Sequence, residues 1–174
     1  MIKLAILDID GVLTDGRKTY DTDGNVISKT YCDKDFTAIK RLRAAGVKVC
    51  FLSGDNRINE PMARNRNIDF YYARGKDKAS FVSDFATIYK VLPANMLYIG
   101  DDLFDESIMK VVGHCFCPAD AALNLRKICG PLNTMHNKGG CNVVAEMVET
   151  LLERGLIDDA TMEEIEHLDK KEIF

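Results

Sequence analysis

The chain has 174 residues, of which 47% are hydrophobic, so it is long enough to bury the core of one domain. Its 23 basic and 27 acidic residues leave a net charge of −4, which argues against a nucleic-acid-binding surface. The sequence opens directly on a strand pattern, and no run approaches the roughly 20 apolar residues that cross a bilayer. We therefore expect a cytoplasmic protein that does not bind a membrane.

Strand and helix patterns alternate along most of the chain. In chain order, the predicted elements are strand 2–9, hairpin 17–31, helix 35–45, strand 47–52, helix 57–66, strand 69–72, helix 77–90, strand 96–99, helix 104–112, strand 114–117, helix 121–129 and helix 141–154. This alternation predicts a doubly wound, mostly parallel α/β sheet with one protruding β-hairpin. We expect one domain over residues 1–154, followed by an acidic helical tail over residues 155–174 that is solvated or packs on a partner.

The first strand ends in two carboxylates, Asp8 and Asp10, which are followed by Gly11. In open α/β sheets the ligand crevice lies outside the carboxyl ends of the strands, so both side chains would lie where such folds bind ligands. An aspartate at a strand end is often only a turn or cap residue, and this alternative is open for either residue alone. Placing two carboxylates there is costly unless they do chemistry or hold a metal ion.

A second apolar strand ends in Gly100 and then in Asp101, Asp102 and Asp105. These aspartates could be the N-cap and first turn of a helix, where acidic residues favour the helix dipole. That alternative does not explain why two strands of one sheet deliver carboxylates to the same edge, because like charges repel unless a cation lies between them. Carboxylate oxygens suit a hard divalent ion, and Mg²⁺ typically takes one or two of them.

Two further segments between the acidic clusters could bind an anion. The strand 47–52 ends in Ser53 and Gly54, a pair that is most often just a turn. Further along, Lys78 lies in the first turn of a predicted helix. Because a lysine is disfavoured by the dipole in that position, its presence indicates a bound anion.

Taken together and in this order, the four segments resemble the haloacid dehalogenase superfamily of phosphotransferases. The resemblance extends to about Glu149 and implies that Asp8 is the nucleophile and Asp10 the general acid/base. It further implies that Ser53 with Gly54, and Lys78, hold the phosphoryl group. Mg²⁺ would be bound by Asp8, Asp101 and the backbone carbonyl of Asp10, with Asp102 and Asp105 just behind these ligands.

The residue types fit this chemistry independently. A carboxylate nucleophile such as Asp8 needs no deprotonation at neutral pH and divides ester hydrolysis into two displacements. A second aspartate, Asp10, can give a proton to the leaving alkoxide and then take one from water. Mg²⁺, a lysine and a hydroxyl can balance the charge of the phosphoryl oxygens in the transition state.

The gaps between these motifs are short. In this superfamily, substrate-selecting caps are inserted after the first motif or between the second and third. Here the segment from Asp10 to Ser53 holds only a hairpin and a helix, and the segment from Ser53 to Lys78 holds one helix and one strand. Neither gap can house a cap domain, so we expect an open site.

Several details look like the capless 3-deoxy-D-manno-octulosonate 8-phosphate phosphatases and the related phosphatases of nine-carbon sugar acids. They are the Gly-Val-Leu-Thr-Asp-Gly run at 11–16, the Asp-x-x-Gly-Asn turn at 21–25, and Lys34 with Asp35 at the start of the next helix. The resemblance implies a small phosphorylated sugar-acid substrate, with Lys34 and Asp35 as possible contacts. It also implies a homotetramer in which the hairpins associate, which would protect their exposed edges.

The chain departs from that family at two loops. Where the family commonly has Thr-Gly-Arg, this sequence has Ser53-Gly54-Asp55, so an anion replaces a cation near the substrate entrance. Arg57, Arg64 or Arg66 could supply the lost charge. The family's Gly-Gly-x-Gly loop becomes Gly139-Gly140-Cys141-Asn142.

Two other functions are compatible with the motifs. An uncapped site could admit a nucleotide or a nucleic-acid 3′-phosphate, although the acidic composition argues against a polymer. A non-catalytic module could keep the fold for assembly or regulation. The presence of both Asp8 and Asp10 argues against that alternative, because a binding module has no need of both.

Overall fold

The computed structural model describes residues 1–173 and contains two sheets. The strands are β1 (Leu4–Leu7), β2 (Thr19–Tyr20), β3 (Val26–Ser28), β4 (Lys48–Ser53), β5 (Asp69–Tyr72), β6 (Met96–Ile99) and β7 (His114–Phe116). The helices are α1 (Asp33–Ala44), α2 (Asn59–Asn65), α3 (Phe81–Tyr89), α4 (Glu106–Met109), α5 (Leu123–Cys129), α6 (Val143–Glu153) and α7 (Met162–Asp169). None of the helices in the described range is long and apolar enough to cross a membrane.

Five parallel strands form the main sheet in the order β5-β4-β1-β6-β7. The chain moves outward from β1 first to β4 and later to β6, so β1 lies at the point where the strand order reverses. Leu7 at the end of β1 is aligned with Phe51 of β4 and Ile99 of β6. Open α/β sheets bind ligands at this point. The residues that follow β1, β4 and β6 therefore meet at one edge.

Helices cover both faces of the sheet, as a doubly wound fold requires. Side chains of β1 alternate between the faces, with Ala5 and Leu7 packing among residues of α1 and α6. On the opposite face, Leu4 and Ile6 pack among residues of α3, α4 and α5. All four β1 side chains are fully buried. This explains why β1 has a continuous apolar sequence, and it confirms the predicted fold class.

The hairpin formed by β2 and β3 stands apart from the main sheet as a two-stranded antiparallel ribbon. Its arms are shorter than the predicted range 17–31. The turn is held by Asp21, whose carboxylate accepts hydrogen bonds from the backbone N–H groups of Asp23 and Asn25, while Gly24 adopts a positive φ. Tyr20 and Ile27 are exposed on the two arms.

Two predicted helices are shorter in the structure because 3₁₀ turns replace their first residues. The first turn covers Lys78–Ser80 before α3, and the second covers Leu103–Asp105 before α4. In the second turn, Asp102 and Asp105 form a reciprocal capping box. The first turn places Lys78, and the second places Asp105, at the edge of the sheet where β1 and β6 end.

The acidic tail folds back onto the same domain. Its helix α7 packs against α1, where the ammonium of Lys40 lies between the carboxylates of Asp169 and Glu172. The guanidinium of Arg41 binds Asp159 through two hydrogen bonds of 2.8 Å each. These ion pairs tie the acidic tail to basic residues of α1. The tail helix therefore lies against the chain's own domain, and none of its residues is fully buried.

Candidate active site

The loop after β1 places Asp8 at the centre of the site. One of its oxygens accepts a hydrogen bond of 2.7 Å from the Ile9 N–H, and the other lies 2.8 Å from the Lys78 ammonium. Gly11 has a φ of +85°, and a Cβ at this position would lie 2.0 Å from Asp101 Oδ2. The loop can therefore approach Asp101 closely only because residue 11 is glycine.

Lys78 is almost fully buried and has three oxygen partners. Its ammonium donates to Asp8 at 2.8 Å, to Tyr98 at 2.9 Å and to Asp105 at 2.6 Å. Burial alone would lower the pKa of Lys78, but Asp8 and Asp105 raise it above its ordinary value. Lys78 is therefore a fixed cation pointing at the carboxylate of Asp8.

Three carboxylates, from Asp8, Asp101 and Asp105, bring one oxygen each to within 4.8 Å of one another. Burial raises the pKa of Asp8 to about 7, with Lys78 lowering it and Asp105 raising it further. Burial, together with the charges of Asp8 and Asp105, raises the pKa of Asp101 to about 8. Three acids facing one lysine leave an excess of negative charge in a buried place. We call this group, Asp8, Asp101, Asp105 and Lys78, the metal side.

The donor set of the metal side fits a hard divalent cation. Asp101 Oδ1 is buried and has no hydrogen-bond partner among residues 1–173. Each oxygen of Asp8 has one partner, Ile9 N–H or Lys78, whereas each oxygen of Asp105 has two, Lys78 and Tyr98 on one and the N–H groups of Asp101 and Asp102 on the other. Because a carboxylate oxygen can accept two contacts, Asp8 and Asp101 keep room for a cation, whereas Asp105 orients Lys78 and the loop that carries Asp101.

Asp10 lines the same cavity as the metal side and lies among residues from the hairpin and from α2. Lys29 Nζ lies 2.7 Å from Asp10 Oδ1, and Asn59 Nδ2 lies 3.3 Å from Asp10 Oδ2. Both Lys18 and Lys29 bind Asp55, at 2.9 and 3.0 Å. Partial burial opposes the effect, but hydrogen bonds from these lysines hold the pKa of Asp55 well below its usual range. We call Asp10, Asp55, Lys18 and Lys29 the hairpin side.

Ser53 connects to the hairpin side. Its hydroxyl accepts hydrogen bonds from Asn59 Nδ2 at 3.0 Å and from the Asp55 N–H at 3.3 Å. The adjoining Gly54 is exposed, and a Cβ there would meet no atom within 4 Å. Ser53 thus lies in one hydrogen-bonded group with residues that hold Asp10.

A single cavity of about 950 Å³ contains most of the predicted site residues. It is lined by the predicted residues Asp8, Asp10, Ser53, Gly54, Arg57, Lys78, Asp101, Asp102 and Asp105. Further cations, from Lys18, Arg74 and Lys76, and the exposed rings of Tyr20 and Phe104 lie around its mouth. The strand-end motifs predicted the residues that the structure brings together here.

Three predicted substrate contacts lie elsewhere in the described chain. Lys34 is an exposed residue of α1 that does not line the cavity, and Arg64 borders a separate surface depression beside β5. Asp35 is fully buried, and its carboxylate accepts a hydrogen bond of 2.9 Å from Ala145 N–H in the first turn of α6. Burial raises the pKa of Asp35 to about 6. Asp35 therefore caps α6, because Asn142 at the start of that helix makes no side-chain cap.

Lys18, Lys29 and Asn59 were not predicted as site residues. Neither lysine belongs to a strand-end motif, since both reach the site from the hairpin. The only sequence signal was Asp55, an unbalanced anion beside Ser53 that required a cation nearby. Lys18 and Lys29 are the cations in contact with Asp55. Of Arg57, Arg64 and Arg66, which could replace the family's arginine charge near the substrate entrance, Arg57 lines the cavity.

The glycine loop after β7 packs directly onto the loop after β1. A Cβ at Gly139 would lie 2.0 Å from the Gly11 carbonyl oxygen, and a Cβ at Gly140 would lie 2.6 Å from the Asp15 nitrogen. The Gly140 N–H also donates to the Val12 carbonyl at 2.8 Å. These two glycines remain in the altered loop because a side chain at either position would push the loop after β1 away.

No protein-family model matches the chain. The chain is 31% identical over 153 residues to the 3-deoxy-D-manno-octulosonate 8-phosphate phosphatase KdsC of Haemophilus influenzae, an alignment that covers 87% of this chain and 83% of that protein. It is also similar to the cobalt-bound form of the deoxy-D-mannose-octulosonate 8-phosphate phosphatase from Haemophilus influenzae, with a TM-score of 0.80, 30% identity, and coverage of 88% of this chain and 90% of that one. A third similar structure is a "probable yrbi family phosphatase" from Pseudomonas syringae, with a TM-score of 0.80, 33% identity, and coverage of 87% and 85%.

The doubly wound fold and the two strand-end acidic motifs define a phosphatase of the haloacid dehalogenase superfamily, a class that uses a divalent metal ion. Within this class, the chain belongs to the family of the 3-deoxy-D-manno-octulosonate 8-phosphate phosphatases. Both the resemblance and the enzyme class expected from the sequence are thereby confirmed.

Proposed function

We propose that this chain is a Mg²⁺-dependent phosphatase that hydrolyses phosphomonoesters through a phosphorylated Asp8. The observation that carries the proposal is the contact of 2.8 Å between the Asp8 carboxylate and the Lys78 ammonium, beside Asp101 at the end of the neighbouring strand. A carboxylate, a fixed cation and a metal-binding acid at one sheet edge are what phosphoryl transfer to an aspartate needs.

In the first step, an oxygen of Asp8 attacks phosphorus while the bond to the leaving oxygen breaks. Protonated Asp10 transfers its proton to that oxygen, so an alcohol leaves and Asp10 becomes a carboxylate. In the second step, Asp10 takes a proton from water as the water oxygen attacks the phosphorylated Asp8. The products are inorganic phosphate and the original carboxylate of Asp8, with Asp10 protonated again.

Lys78, Ser53 and Gly54 bind the phosphoryl oxygens in this scheme. Tyr98 and Asp105 hold two of the three N–H donors of Lys78, and the third, which donates to Asp8, is the one that would turn to a phosphoryl oxygen. The buried Ser53 and the exposed backbone at Gly54 also line the cavity. Mg²⁺ would be held by Asp8, Asp101 and the backbone carbonyl of Asp10, where it supplies positive charge to the transferring group.

The proposed substrate is the 8-phosphate of 3-deoxy-octulosonate or the phosphate of a nine-carbon sugar acid. Two observations support this substrate class. The relatives are named as phosphatases of 3-deoxy-D-manno-octulosonate 8-phosphate, and the cavity is large and has no cap domain over it. Cations at the mouth, from Arg57, Arg74 and Lys76, are suited to a substrate that carries a carboxylate at the end remote from its phosphate.

We further propose a homotetramer in which the hairpins of the subunits associate. Tyr20 and Ile27 are exposed on the hairpin arms, and a two-stranded ribbon is rarely stable alone in water. A monomer in light scattering at micromolar concentration would contradict this assembly.

A phosphate-release screen tests the function. Purified protein with Mg²⁺ is assayed on sugar-acid, sugar and nucleotide monophosphates and on a 3′-phosphorylated oligonucleotide, and kcat/KM values are compared. We expect the highest value for an eight- or nine-carbon keto-acid phosphate, and loss of activity in EDTA that Mg²⁺ restores. Preference for a nucleotide or for the oligonucleotide would overturn the substrate class, and no phosphate release from any ester would overturn the function.

A further inference from the structure

The side chain of Asp10 is held by residues that are distant from it in sequence. Lys29 Nζ lies 2.7 Å from one Asp10 oxygen and donates a hydrogen bond of 3.0 Å to the other. Asn59 Nδ2 adds a contact of 3.3 Å. Asp10 therefore does not depend on its own loop for orientation, because the hairpin and α2 supply its partners.

Lys29 is itself fixed in position. Its side chain has no exposed surface, and an ammonium has three N–H donors. All three have acceptors, namely Asp10 at 3.0 Å, Asp55 at 3.0 Å and Asn59 Oδ1 at 2.9 Å. A buried cation with every donor matched has one favourable position, and losing one partner leaves a buried charge uncompensated.

Asn59 links the acid/base residue to the phosphoryl-binding residue. Its carbonyl oxygen accepts hydrogen bonds from Lys29 and from Tyr31 at 3.0 Å, which fixes which way the amide faces. The amide nitrogen then points to both Asp10 and Ser53. A single side chain thus sets Asp10 and Ser53 relative to each other.

Charge explains why an aspartate stands at position 55. Once Asp10 has given its proton to the leaving group, Asp10 and Asp55 carry two negative charges and Lys18 and Lys29 carry two positive ones, so the hairpin side is then neutral. An arginine at position 55 would face the buried Lys29, and like charges at this distance repel. Asp55 and Lys29 are therefore suited to each other.

From these contacts we propose that Lys29, Asp55 and Asn59 are positioning residues that orient Asp10 for proton transfer to the leaving group. This role rests on the proposed phosphatase function, in which Asp10 is the general acid. The hairpin then completes the catalytic geometry of its own subunit, in addition to any part it plays in assembly.

The dependence of the rate on the leaving group distinguishes a positioning role from a merely structural one. A primary alkyl phosphate needs a proton from Asp10 as its bond breaks, whereas p-nitrophenolate leaves readily without one. Misorienting Asp10 should therefore slow alkyl phosphates far more than p-nitrophenyl phosphate. A general loss of folding would slow both substrates equally.

The experiment compares Lys29→Met with wild type on p-nitrophenyl phosphate and on three primary alkyl phosphates. The alkyl phosphates are the 8-phosphate of 3-deoxy-octulosonate, ribose 5-phosphate and glucose 6-phosphate. We expect kcat for the fastest alkyl phosphate to fall about 100-fold and kcat for p-nitrophenyl phosphate to fall less than about 10-fold. Lys29→Arg should recover part of the activity on alkyl phosphates. Asp55→Asn should also lower kcat more for alkyl phosphates than for p-nitrophenyl phosphate, but by smaller factors.

Lys40→Met is the matched control, because Lys40 is also a buried lysine between two carboxylates but lies on α1 beneath the tail. It should lower the unfolding temperature and leave the ratio of alkyl to aryl activity unchanged. Equal losses on both substrates in Lys29→Met, or no loss at all, would overturn the positioning role while leaving the phosphatase function intact. Wild-type protein that hydrolyses neither kind of ester would contradict the proposed function and, with it, this role.

Discussion

The metal side and the hairpin side both contribute residues to one cavity and balance their buried charge in different ways. On the metal side, three carboxylates face the single cation Lys78, and Asp101 keeps an oxygen without a partner. On the hairpin side, two carboxylates face two lysines. The first side therefore needs an additional cation to be stable in its ionised form, whereas the second is complete within the chain.

The largest expected effect comes from changing Asp8, the proposed nucleophile on the metal side. Asp8→Asn keeps the shape of the side chain but removes the charge that would attack phosphorus, so we expect kcat to fall by at least about 10⁴-fold. The measurement is phosphate release with Mg²⁺ present. Asp84→Asn, an exposed position on α3, serves as the matched control and should keep wild-type activity. An Asp8→Asn enzyme with appreciable turnover would place the chemistry on another residue.

A second prediction concerns stability and pH on the metal side. Without metal, burial places the pKa of Asp8 at about 7 and that of Asp101 at about 8, both above the ordinary value of 3.8. Raised values favour the protonated acids in the folded state, so metal-free protein should lose stability as the pH rises from about 4 to about 8. Mg²⁺ bound by the ionised acids would remove this loss of stability. We expect it to raise Tm only slightly near pH 5 and by several degrees near pH 8.

Thermal unfolding with Mg²⁺ or with EDTA at both pH values measures this difference. Asp101→Asn should lose most of the Mg²⁺ effect, and Asp84→Asn should retain it. A rise in Tm that is the same at both pH values would mean that the cation binds elsewhere than between these two acids.

The smallest expected effect on activity comes from Asp35, a buried carboxylate outside both sides of the cavity. Its pKa of about 6 exceeds the ordinary 3.8, so the ionised form costs stability above about pH 6 and costs nothing below about pH 4. Asp35→Asn keeps an acceptor for the Ala145 N–H and removes the charge. We expect it to raise the free energy of unfolding at pH 7 by up to about 3 kcal/mol and to leave kcat/KM unchanged.

Urea unfolding of Asp35→Asn and wild type at about pH 7 and about pH 4 measures this difference in the free energy of unfolding. The stabilisation by Asp35→Asn should vanish at about pH 4. A fall in kcat/KM without a change in stability would restore Asp35 as a substrate contact.

The residues that could be predicted from sequence are those that follow strands. Asp8, Ser53 and Asp101 come directly after apolar runs, and parallel strands bring their carboxyl ends to one edge whatever the details of packing. Lys29 and Asn59 carry no such signal, because a hairpin and the first turn of a helix can be oriented in many ways. Their positions depend on tertiary packing that the local sequence does not specify.

The same reason explains why three predicted substrate contacts lie away from the cavity. Lys34 and Asp35 follow each other on α1, but the packing of that helix exposes one and buries the other against α6. Arg64 is near Ser53 in sequence, yet it lies at the far end of α2. Proximity in sequence indicates proximity in space only within a strand-end loop, and not across a helix.

Gly139 and Gly140, which pack on the loop after β1, lie late in the chain, so this contact can form only when most of the chain has been synthesised. The loop after β1 leaves the ribosome first, but the backbone that supports it is made only after β7. Contacts between such distant segments form late, because closing a long loop costs entropy before the contact repays it. A nascent chain that ends before this glycine loop would carry both Asp8 and Asp101 and still lack the support that fixes the loop after β1. Catalytic competence would then be acquired near the end of translation, when the sheet is already complete.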